Sequence, residues 1–257
     1  MIEIINLCKA FNDHPVLDNL NLTIQTGETM VIIGTSGCGK SVLLKHMIGL
    51  LQPDSGQVLI DGTDLTRLPP QALNQFRLKF GMLFQGAALF DSLTVAENVG
   101  FALTEHTAMN RAAIHQRVRE CLGLVGLKEI EEKYPAELSG GMRKRVGLAR
   151  ALAMKPEIIL YDEPTTGIDP IMGDVINDLI RDLRDKLRVT SVVVTHDMKS
   201  ASKVGDRLAM LYEGRIVATG TPEEFRRSTH PVVEQFIQGR AEGPITDGLA
   251  LGHVRRR

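Results

Sequence analysis

The chain has 257 residues, 43% of them hydrophobic, which is enough to bury the core of one large α/β domain or two small ones. Its 30 basic and 31 acidic side chains leave a formal charge of −1. We therefore expect no nucleic-acid partner, because proteins that bind nucleic acid generally carry a basic excess. The three cysteines lack the spacing of a disulfide framework or a metal site, which favours a reducing cytosol.

No segment of the sequence is suited to enter or cross a membrane. The N-terminus lacks a basic region followed by an apolar run, so we expect no signal peptide. No apolar run approaches the roughly 18–20 residues that a membrane-spanning helix needs. If the protein acts on a membrane, it therefore requires a partner that spans it.

Strand patterns and one helix fill the first part of the chain. Residues 2–7 and 20–25 alternate apolar and polar side chains, as half-buried strands do. Residues 30–33 form an apolar run that predicts a buried strand ending at a turn, and residues 41–50 predict a helix after it. Residues 57–60 predict another strand, closed by an Asp-Gly turn.

Helical patterns dominate from about residue 86 to residue 155. A capping box at residues 94–97 begins one helix, and residues 111–125 and 142–154 predict two more. Four strands follow, and a helix from Pro170 to about residue 187 comes after the first of them. These strands are predicted at residues 158–161, 191–194, 207–211 and 215–218.

The alternation of apolar strands with helices predicts an α/β fold with a mainly parallel sheet and helices on both of its faces. The region from about 86 to 155 is predicted to be a helical insertion. Residues 239–257 predict an irregular C-terminal extension, so the folded domain is predicted to span residues 1–238.

A phosphate-binding motif joins the strand at residues 30–33 to the next helix. It matches the P-loop pattern G-x-x-x-x-G-K-[ST] in the required strand–loop–helix context, which disfavours a chance match in a glycine-rich turn. Backbone N–H groups of such a loop bind phosphate oxygens, Lys40 is predicted to bind the β- and γ-phosphates, and the Ser41 hydroxyl is predicted to bind Mg²⁺. The predicted ATP contacts are Gly34, Thr35, Ser36, Gly37, Cys38, Gly39, Lys40, Ser41 and Val42.

Polar side chains follow two other apolar strands. Asp162 and Glu163 end the strand at 158–161, and His196 follows the strand at 191–194. Because the carboxyl ends of parallel strands lie at one edge of a sheet, these groups can meet the P-loop. Asp162 then suits Mg²⁺ binding, Glu163 suits orientation of the attacking water, and His196 can reach the γ-phosphate. Two solvated acids and a structural histidine are the alternative.

A second predicted anion site lies at residues 138–141, Leu-Ser-Gly-Gly, just before a helix. One P-loop is enough to hold ATP, so a second phosphate-binding helix terminus has no obvious use within one chain. It is explained if Ser139, Gly140 and Gly141 complete the site of a neighbouring subunit.

Together, and in this order, these motifs resemble those of ABC-type ATPases over about residues 1–238. The resemblance implies a P-loop NTPase fold with a mainly parallel core sheet, an N-terminal antiparallel β subdomain and an inserted helical subdomain. It also implies a head-to-tail homodimer that holds two ATP molecules, each between the P-loop of one subunit and the Leu-Ser-Gly-Gly signature of the other.

The family pattern also assigns three residues that simple chemistry does not single out. Gln85 corresponds to the loop glutamine that senses Mg²⁺ and faces the membrane partner. Phe11 occupies the position of the aromatic residue that stacks on adenine, the alternative being an ordinary core phenylalanine. Asp169 is implied to lie at the seam between the two subunits.

A narrower resemblance is to the ATPases of Mla (maintenance of lipid asymmetry) phospholipid transporters of Gram-negative bacteria and of Mce-associated relatives. It is carried by residues 40–45, 83–99, 138–146 and 232–244. This subgroup implies integral membrane permease subunits and an Mce-type lipid-binding subunit as partners. It places the protein at the cytoplasmic face of the bacterial inner membrane, held there by the permease.

The signature itself departs from the common family pattern. Met142 replaces a glutamine, and a thioether cannot donate a hydrogen bond to nucleotide. The basic run Arg143, Lys144 and Arg145 follows it and predicts a solvated helix face, the alternative being attraction of phosphates or of an acidic partner surface.

Two other functions are compatible with the family. The chain could serve an importer or exporter with a different cargo, because cargo is selected by the partner subunits. A non-transport ABC ATPase of DNA repair or translation is disfavoured, because such proteins usually contain coiled-coil insertions, zinc-binding cysteines or two ATPase domains. None of these features is evident in the sequence.

Overall fold

The computed structural model describes residues 1–247. Its first third contains the strands and the helix that the sequence predicts there, and adds a two-residue strand, a second helix and a further strand. The elements are β1 (Ile2–Phe11), β2 (His14–Ile24), β3 (Thr29–Ile33), α1 (Lys40–Met47), β4 (Ser55–Ile60), β5 (Thr63–Asp64), α2 (Pro70–Arg77) and β6 (Phe80–Leu83).

Three helices come next, followed by a return to strands. The helices are α3 (Val95–His106), α4 (Arg111–Leu124) and α5 (Gly140–Leu152). The remaining elements are β7 (Ile158–Asp162), α6 (Pro170–Leu187), β8 (Thr190–Thr195), α7 (Met198–Val204), β9 (Arg207–Tyr212), β10 (Arg215–Gly220), α8 (Pro222–Arg226), α9 (Pro231–Gln238) and α10 (Pro244–Asp247). Among the residues described, no helix is both long and apolar enough to span a bilayer.

The strands form two sheets. The six-stranded core sheet has the order β10-β9-β3-β8-β7-β6, and all its neighbouring pairs are parallel except β10 with β9. A four-stranded antiparallel sheet has the order β2-β1-β4-β5. Every residue of β3, β6, β7 and β8 is buried, because both faces of the core sheet are covered. The predicted fold class is confirmed.

Alternate residues of β3 point into two separate hydrophobic cores. Met30 and Ile32 belong to the core that includes residues of α1 and the antiparallel sheet, whereas Val31 and Ile33 belong to the core that includes residues of α3, α4, α5 and α6. This alternation follows from the two-residue period of a strand. The β3 strand, which leads into the P-loop, is thus fixed from both sides.

Parallel pairing places the candidate site at one edge of the core sheet. Ile33 pairs with Thr195, and Asp162 pairs with Val194, so β3, β7 and β8 end at the same level. The strand β6, absent from the sequence-based description, pairs with β7 and ends two residues before Gln85. The P-loop and the loops that carry Gln85, Glu163 and His196 therefore leave the sheet together.

The C-terminal region differs in part from the irregular extension that the sequence predicts. Residues 244–247 form a helical turn that contacts the domain, and residues 248–257 lie outside the described part of the chain. The Tyr212 hydroxyl donates to the Pro244 carbonyl at 2.9 Å, and the Ile245 amide donates to Gln235 Oε1 at 2.8 Å. These hydrogen bonds stabilise a turn that local pattern alone does not indicate.

Asn98, in the first turn of α3, holds the loop that enters the helical insertion. Its side chain is fully buried. Oδ1 accepts from the Phe90 amide at 2.8 Å, and Nδ2 donates to the carbonyls of Phe90, Leu93 and Thr94 at 3.0–3.1 Å. One amide group therefore satisfies several backbone groups of residues 90–94.

We predict that Asn98→Ala lowers the free energy of unfolding by about 2–4 kcal/mol, because it leaves buried backbone groups unpaired. Urea unfolding of the two proteins measures this difference. Asn74→Ala, which changes an exposed asparagine, should stay within about 0.5 kcal/mol of the original protein. A loss below about 1 kcal/mol for Asn98→Ala would show that this loop is held by other contacts.

His46 is a buried histidine in α1. Its Nδ1 lies 2.8 Å from the Val42 carbonyl oxygen, and Nε2 has no hydrogen-bond partner among the described residues. Burial lowers the pKa of His46 below its ordinary value, although the hydrogen bond to Val42 opposes this effect. The folded protein therefore resists protonation of a side chain that the unfolded chain protonates below about pH 6.5.

We predict that His46 makes stability fall as the pH drops from about 7.5 to 5, because the unfolded state then binds more protons than the folded state. At pH 8 both states are neutral and the contribution vanishes. His46→Gln should lose less stability over this range, as measured by urea unfolding at each pH. His115→Gln, at an exposed histidine, should retain the original pH dependence. If the free energy of unfolding changes with pH to the same extent in His46→Gln and in the original protein, His46 is not the source of the pH dependence.

Candidate nucleotide-binding and hydrolysis site

The P-loop forms a tight turn between β3 and α1. Gly37 and Gly39 have φ angles of 82° and 105°, which side chains other than that of glycine rarely adopt. A Cβ atom on Gly34 would lie 2.5 Å from the Leu211 carbonyl oxygen. The Lys40 ammonium donates to the carbonyls of Gly34 and Thr35, each at 2.9 Å. The P-loop therefore packs closely against the backbone of β9 at Gly34, and its glycines carry no side chains that would block an anion at the loop surface.

Asp162 and Ser41 meet beside this loop. The Ser41 hydroxyl donates to Asp162 Oδ1 at 2.8 Å. Burial raises the pKa of the Asp162 carboxyl, and the hydrogen bond from Ser41 opposes that rise. A hydroxyl and a carboxylate are hard oxygen ligands of the kind that Mg²⁺ uses together with phosphate oxygens and water. The two residues therefore fit the metal that the sequence predicts.

Glu163 lies at the centre of the site. Its Oε1 lies 3.5 Å from Lys40 Nζ, and its Oε2 lies 2.9 Å from His196 Nδ1 and accepts from the Thr166 hydroxyl at 3.2 Å. The Glu163 amide donates to the Val194 carbonyl at 3.0 Å. The carboxylate is nearly buried and held from three directions, which suits a group that must orient one water molecule. Sequence analysis did not single out Thr166.

A cleft of about 440 Å³ opens over these groups. Gln85 lines it, as does Phe11, whose side chain is exposed at the rim and whose ring centroid lies 5.5 Å from Lys9 Nζ. The alternative that Phe11 is a core residue is therefore wrong. The other lining residues are Val16, Ser36, Gly37, Gly39, Lys40, Ser41, Val42, Glu163, Thr166 and His196.

The signature and Asp169 do not line this cleft. Ser139 caps α5, with its hydroxyl accepting from the Met142 amide at 3.2 Å. A Cβ on Gly141 would lie 3.0 Å from the Met172 side chain, so the signature packs against α6 of its own chain. Asp169 caps α6 by accepting from the amides of residues 171 and 172. Within one chain the P-loop and the signature therefore remain apart.

Cys38 is a half-buried thiol within the P-loop. Burial raises its pKa, although the neighbouring Lys40 charge opposes this effect. A raised pKa keeps the sulfur in its less reactive thiol form. The side chain therefore fills space in the loop and is not activated as a nucleophile.

The basic run after the signature is solvated only in part, because Arg143 is exposed whereas Lys144 is buried. Lys144 is only 5% exposed, and its ammonium donates to the backbone carbonyls of Gln85 and Glu163. Arg143 donates to the Leu138 carbonyl at 2.7 Å. The expectation of a solvated charge run is wrong at Lys144, because this residue falls on the buried face of α5. A signal was present, since Gly141, Leu148 and Lys144 follow helical spacing.

Comparison with known proteins agrees with this geometry. The ABC transporter family model matches residues 17–166. A Mycobacterium tuberculosis protein described as the probable ribonucleotide transport ATP-binding protein Mkl is 45% identical over 244 residues, covering 95% of this chain and 68% of that protein. The intermembrane phospholipid transport system ATP-binding protein MlaF of Haemophilus influenzae is 41% identical over 245 residues, covering 95% and 93%.

A solved structure shows the same fold. The dimeric ATP-binding cassette MJ0796, in a post-hydrolysis state with ADP and Pi, superimposes with a TM-score of 0.80 and is 36% identical. The match covers 86% of this chain and 99% of that chain. The P-loop, the acids at the end of β7 and the separate signature therefore occur here in the fold of an ATP-hydrolysing cassette, and the chain belongs to the ABC transporter family as an ATP-binding, ATP-hydrolysing subunit.

Proposed function

We propose that this chain powers phospholipid transport between membranes, as a homodimer that hydrolyses two ATP molecules and drives a membrane permease. The observation that carries the hydrolytic part is the Glu163 carboxylate, held between Lys40, Thr166 and His196 beside the P-loop. The lipid part is supported by similarity to MlaF over nearly the full length of both chains.

Nucleotide binding is assigned to the cleft. The exposed Phe11 ring can stack on adenine, because it lies at the rim within reach of a base whose phosphates occupy the P-loop. Lys40 binds the β- and γ-phosphates, together with backbone N–H groups at the start of α1. Ser41, Asp162 and Gln85 hold Mg²⁺, which neutralises phosphate charge when bound.

Hydrolysis is assigned to Glu163 and His196. Glu163 accepts a hydrogen bond from the attacking water and orients it in line with the γ-phosphate. His196, whose side chain is half exposed, can turn one ring nitrogen to Glu163 and the other to the γ-phosphate. Thr166 keeps the carboxylate from rotating.

Each site needs a second subunit. The signature residues Ser139, Gly140 and Gly141 lie at the start of a 13-residue helix but outside their own cleft. In a head-to-tail dimer this helix terminus reaches the γ-phosphate held by the other chain, and Asp169 lies at the seam. Closure on ATP and reopening after hydrolysis then form the working cycle.

The helical insertion is the part that contacts the permease. Phe90 and Phe101 lie on it with ring centroids 5.0 Å apart, and both are more than 40% exposed. Such an aromatic pair suits a protein interface. Phe90 follows Gln85 by a few residues, so movement at the nucleotide can be transmitted to the partner through the loop that joins them.

The assembly is placed at the cytoplasmic face of the bacterial inner membrane, with integral permease subunits and an Mce-type lipid-binding subunit. A different cargo is the second candidate, favoured by the similarity to a protein named for ribonucleotide transport. The ATPase chemistry is the same in both cases, because the cargo does not contact the nucleotide site.

We predict that Glu163→Gln lowers kcat at least about 100-fold while ATP still binds, because the amide cannot accept a proton from water. Steady-state hydrolysis and the ATP-dependent dimer fraction in size-exclusion chromatography measure this, and the variant should accumulate as a closed dimer. Glu157→Gln, at an exposed glutamate before the same strand, is the control. Turnover of Glu163→Gln within about threefold of the original would remove Glu163 from the mechanism.

We predict that the chain, purified from its own cells under mild detergent, brings with it a permease and an Mce-type lipid-binding subunit, and that the complex transfers labelled phospholipid between vesicles only with ATP. Phe90→Ser with Phe101→Ser should abolish this association but leave ATP binding intact, whereas Leu187→Ser, at another exposed apolar residue, should not. Recovery of a permease with a different substrate-binding subunit would overturn the lipid assignment. Ribosomes or DNA in its place would overturn transport.

A further inference from the structure

Lys144 is a buried cation that the proposed mechanism does not use. It lies on α5, one helical turn after Gly140 of the signature, and its side chain is 5% exposed. The ammonium donates to the Glu163 carbonyl at 3.1 Å and to the Gln85 carbonyl. Its hydrogen-bond partners are therefore the backbones of two residues whose side chains line the nucleotide cleft.

Keeping a lysine in this place is unfavourable by itself. Burial lowers the pKa of Lys144, although attraction to Asp162 and Glu163 opposes that shift. A buried ammonium must be compensated by good hydrogen bonds. An apolar side chain of similar length would fill the same volume at no such cost, so packing alone does not account for a lysine here.

The backbone that Lys144 contacts is the one that aims the Glu163 side chain. Glu163 has a φ of 48°, in the left-handed region that few residues other than glycine adopt. Its N–H is bound by the Val194 carbonyl, and its C=O is bound by Lys144. With both flanking peptide groups held, the direction of the Cα–Cβ bond is set, and so is the position of the carboxylate.

The hydrogen bond from Lys144 to the Gln85 carbonyl holds a second loop. This loop continues from Gln85 into Ala87 and Ala88, whose φ angles of 62° and 47° also lie in the left-handed region. The Lys144 ammonium therefore joins its own helix, α5, to two loops, the one after β6 and the one after β7. A shift of α5 relative to the core sheet must either carry Gln85 and Glu163 with it or break these hydrogen bonds.

We infer that Lys144 is a positioning residue for hydrolysis, which ties the signature helix to the backbones of Glu163 and Gln85. The inference rests on the proposed role of Glu163 as the residue that orients water. The start of α5 engages the nucleotide of the partner subunit, and one turn later the same helix holds the backbone of Glu163, which carries the water-orienting carboxylate of its own subunit. Binding of the signature to the nucleotide at one ATP site would thereby affect the position of Glu163 at the other site.

A purely structural role for Lys144 leads to a different expectation. If the lysine only satisfies two carbonyls, its loss lowers the melting temperature and the fraction of folded protein, and kcat per folded molecule is unchanged. If it positions Glu163, its loss lowers kcat per folded molecule and leaves ATP affinity nearly unchanged. Small displacements of a catalytic group are enough to reduce rates by about 100-fold.

The test uses the full chain with Lys144→Met, which keeps the length and removes the donors. We expect kcat to fall at least about 30-fold, with KM and the ATP dissociation constant within about threefold. Lys144→Gln retains an amide donor, so its kcat should lie between those of Lys144→Met and the original protein. If Lys144→Met folds poorly, Lys144→Gln takes its place in the test. Lys128→Met, at an exposed lysine of the helical insertion, should remain within about twofold.

A double-mutant cycle tests whether Lys144 acts through Glu163. In the Glu163→Gln background, Lys144→Met should cost less than about a further threefold, because the group it positions is already lost. If the loss of kcat in the double variant equals the product of the losses in the two single variants, the inference is overturned. It is also overturned if kcat of both Lys144→Met and Lys144→Gln stays within about threefold of the original. If Glu163→Gln itself turns over normally, the proposed role of Glu163 fails. If that variant is inactive while Lys144→Met is active, only the inference fails.

Discussion

The parallel pairing of β3, β7 and β8 is the constraint on which the site depends. It ends these three strands at one level, so that the P-loop, the Asp162–Glu163 pair and His196 emerge side by side. Burial on both faces of the sheet fixes the strand ends, because each strand contributes to two separate cores. The strand ends therefore hold the charged side chains of the site within hydrogen-bonding distance of one another, and attraction between the charges is not needed to bring them together.

The same architecture explains why one chain holds only part of the site. The cleft over the P-loop is lined by Lys40, Glu163 and His196, while the signature packs against α6 outside this cleft. Nothing in the described chain joins these two surfaces into one cavity. Under the proposed mechanism, such an ATPase is incomplete until a second subunit covers the nucleotide, which would make hydrolysis responsive to assembly and closure.

A hydrophobic core shared by β3, β7, β8 and the helices α3, α4 and α5 joins the core sheet to the helical insertion, and a few buried polar groups add hydrogen bonds within the insertion and between it and the core loops. Asn98 holds the loop at residues 90–94, and Lys144 holds the loops that carry Gln85 and Glu163. Buried polar groups of this kind tolerate little displacement, because an unpaired partner is costly. Motion of the insertion is thus expected to move the contacted loops as well, which is the requirement for coupling ATP hydrolysis to a permease.

The sequence by itself determined the features that depend on neighbouring residues. The P-loop pattern, the capping box at Thr94, the helix that begins at Pro170 and the apolar strands are local, and all appear in the structure. The fold class followed, because strand–helix alternation leaves few topologies. The proximity of Glu163 and His196 followed from the predicted parallel sheet and is confirmed, while their roles in hydrolysis stay predictions.

Only the tertiary structure decided which groups are in contact. Ser41 meets Asp162 across 121 positions, and His196 meets Glu163 across 33. Lys144 was hidden in a basic run that resembles a solvated surface, since a charge pattern does not report the two carbonyls that bury it. The path of β6 and the turn at residues 244–247 were likewise set by partners distant in sequence. The physical reason is that short-range propensity specifies an element, whereas hydrogen bonds and packing between elements specify a site.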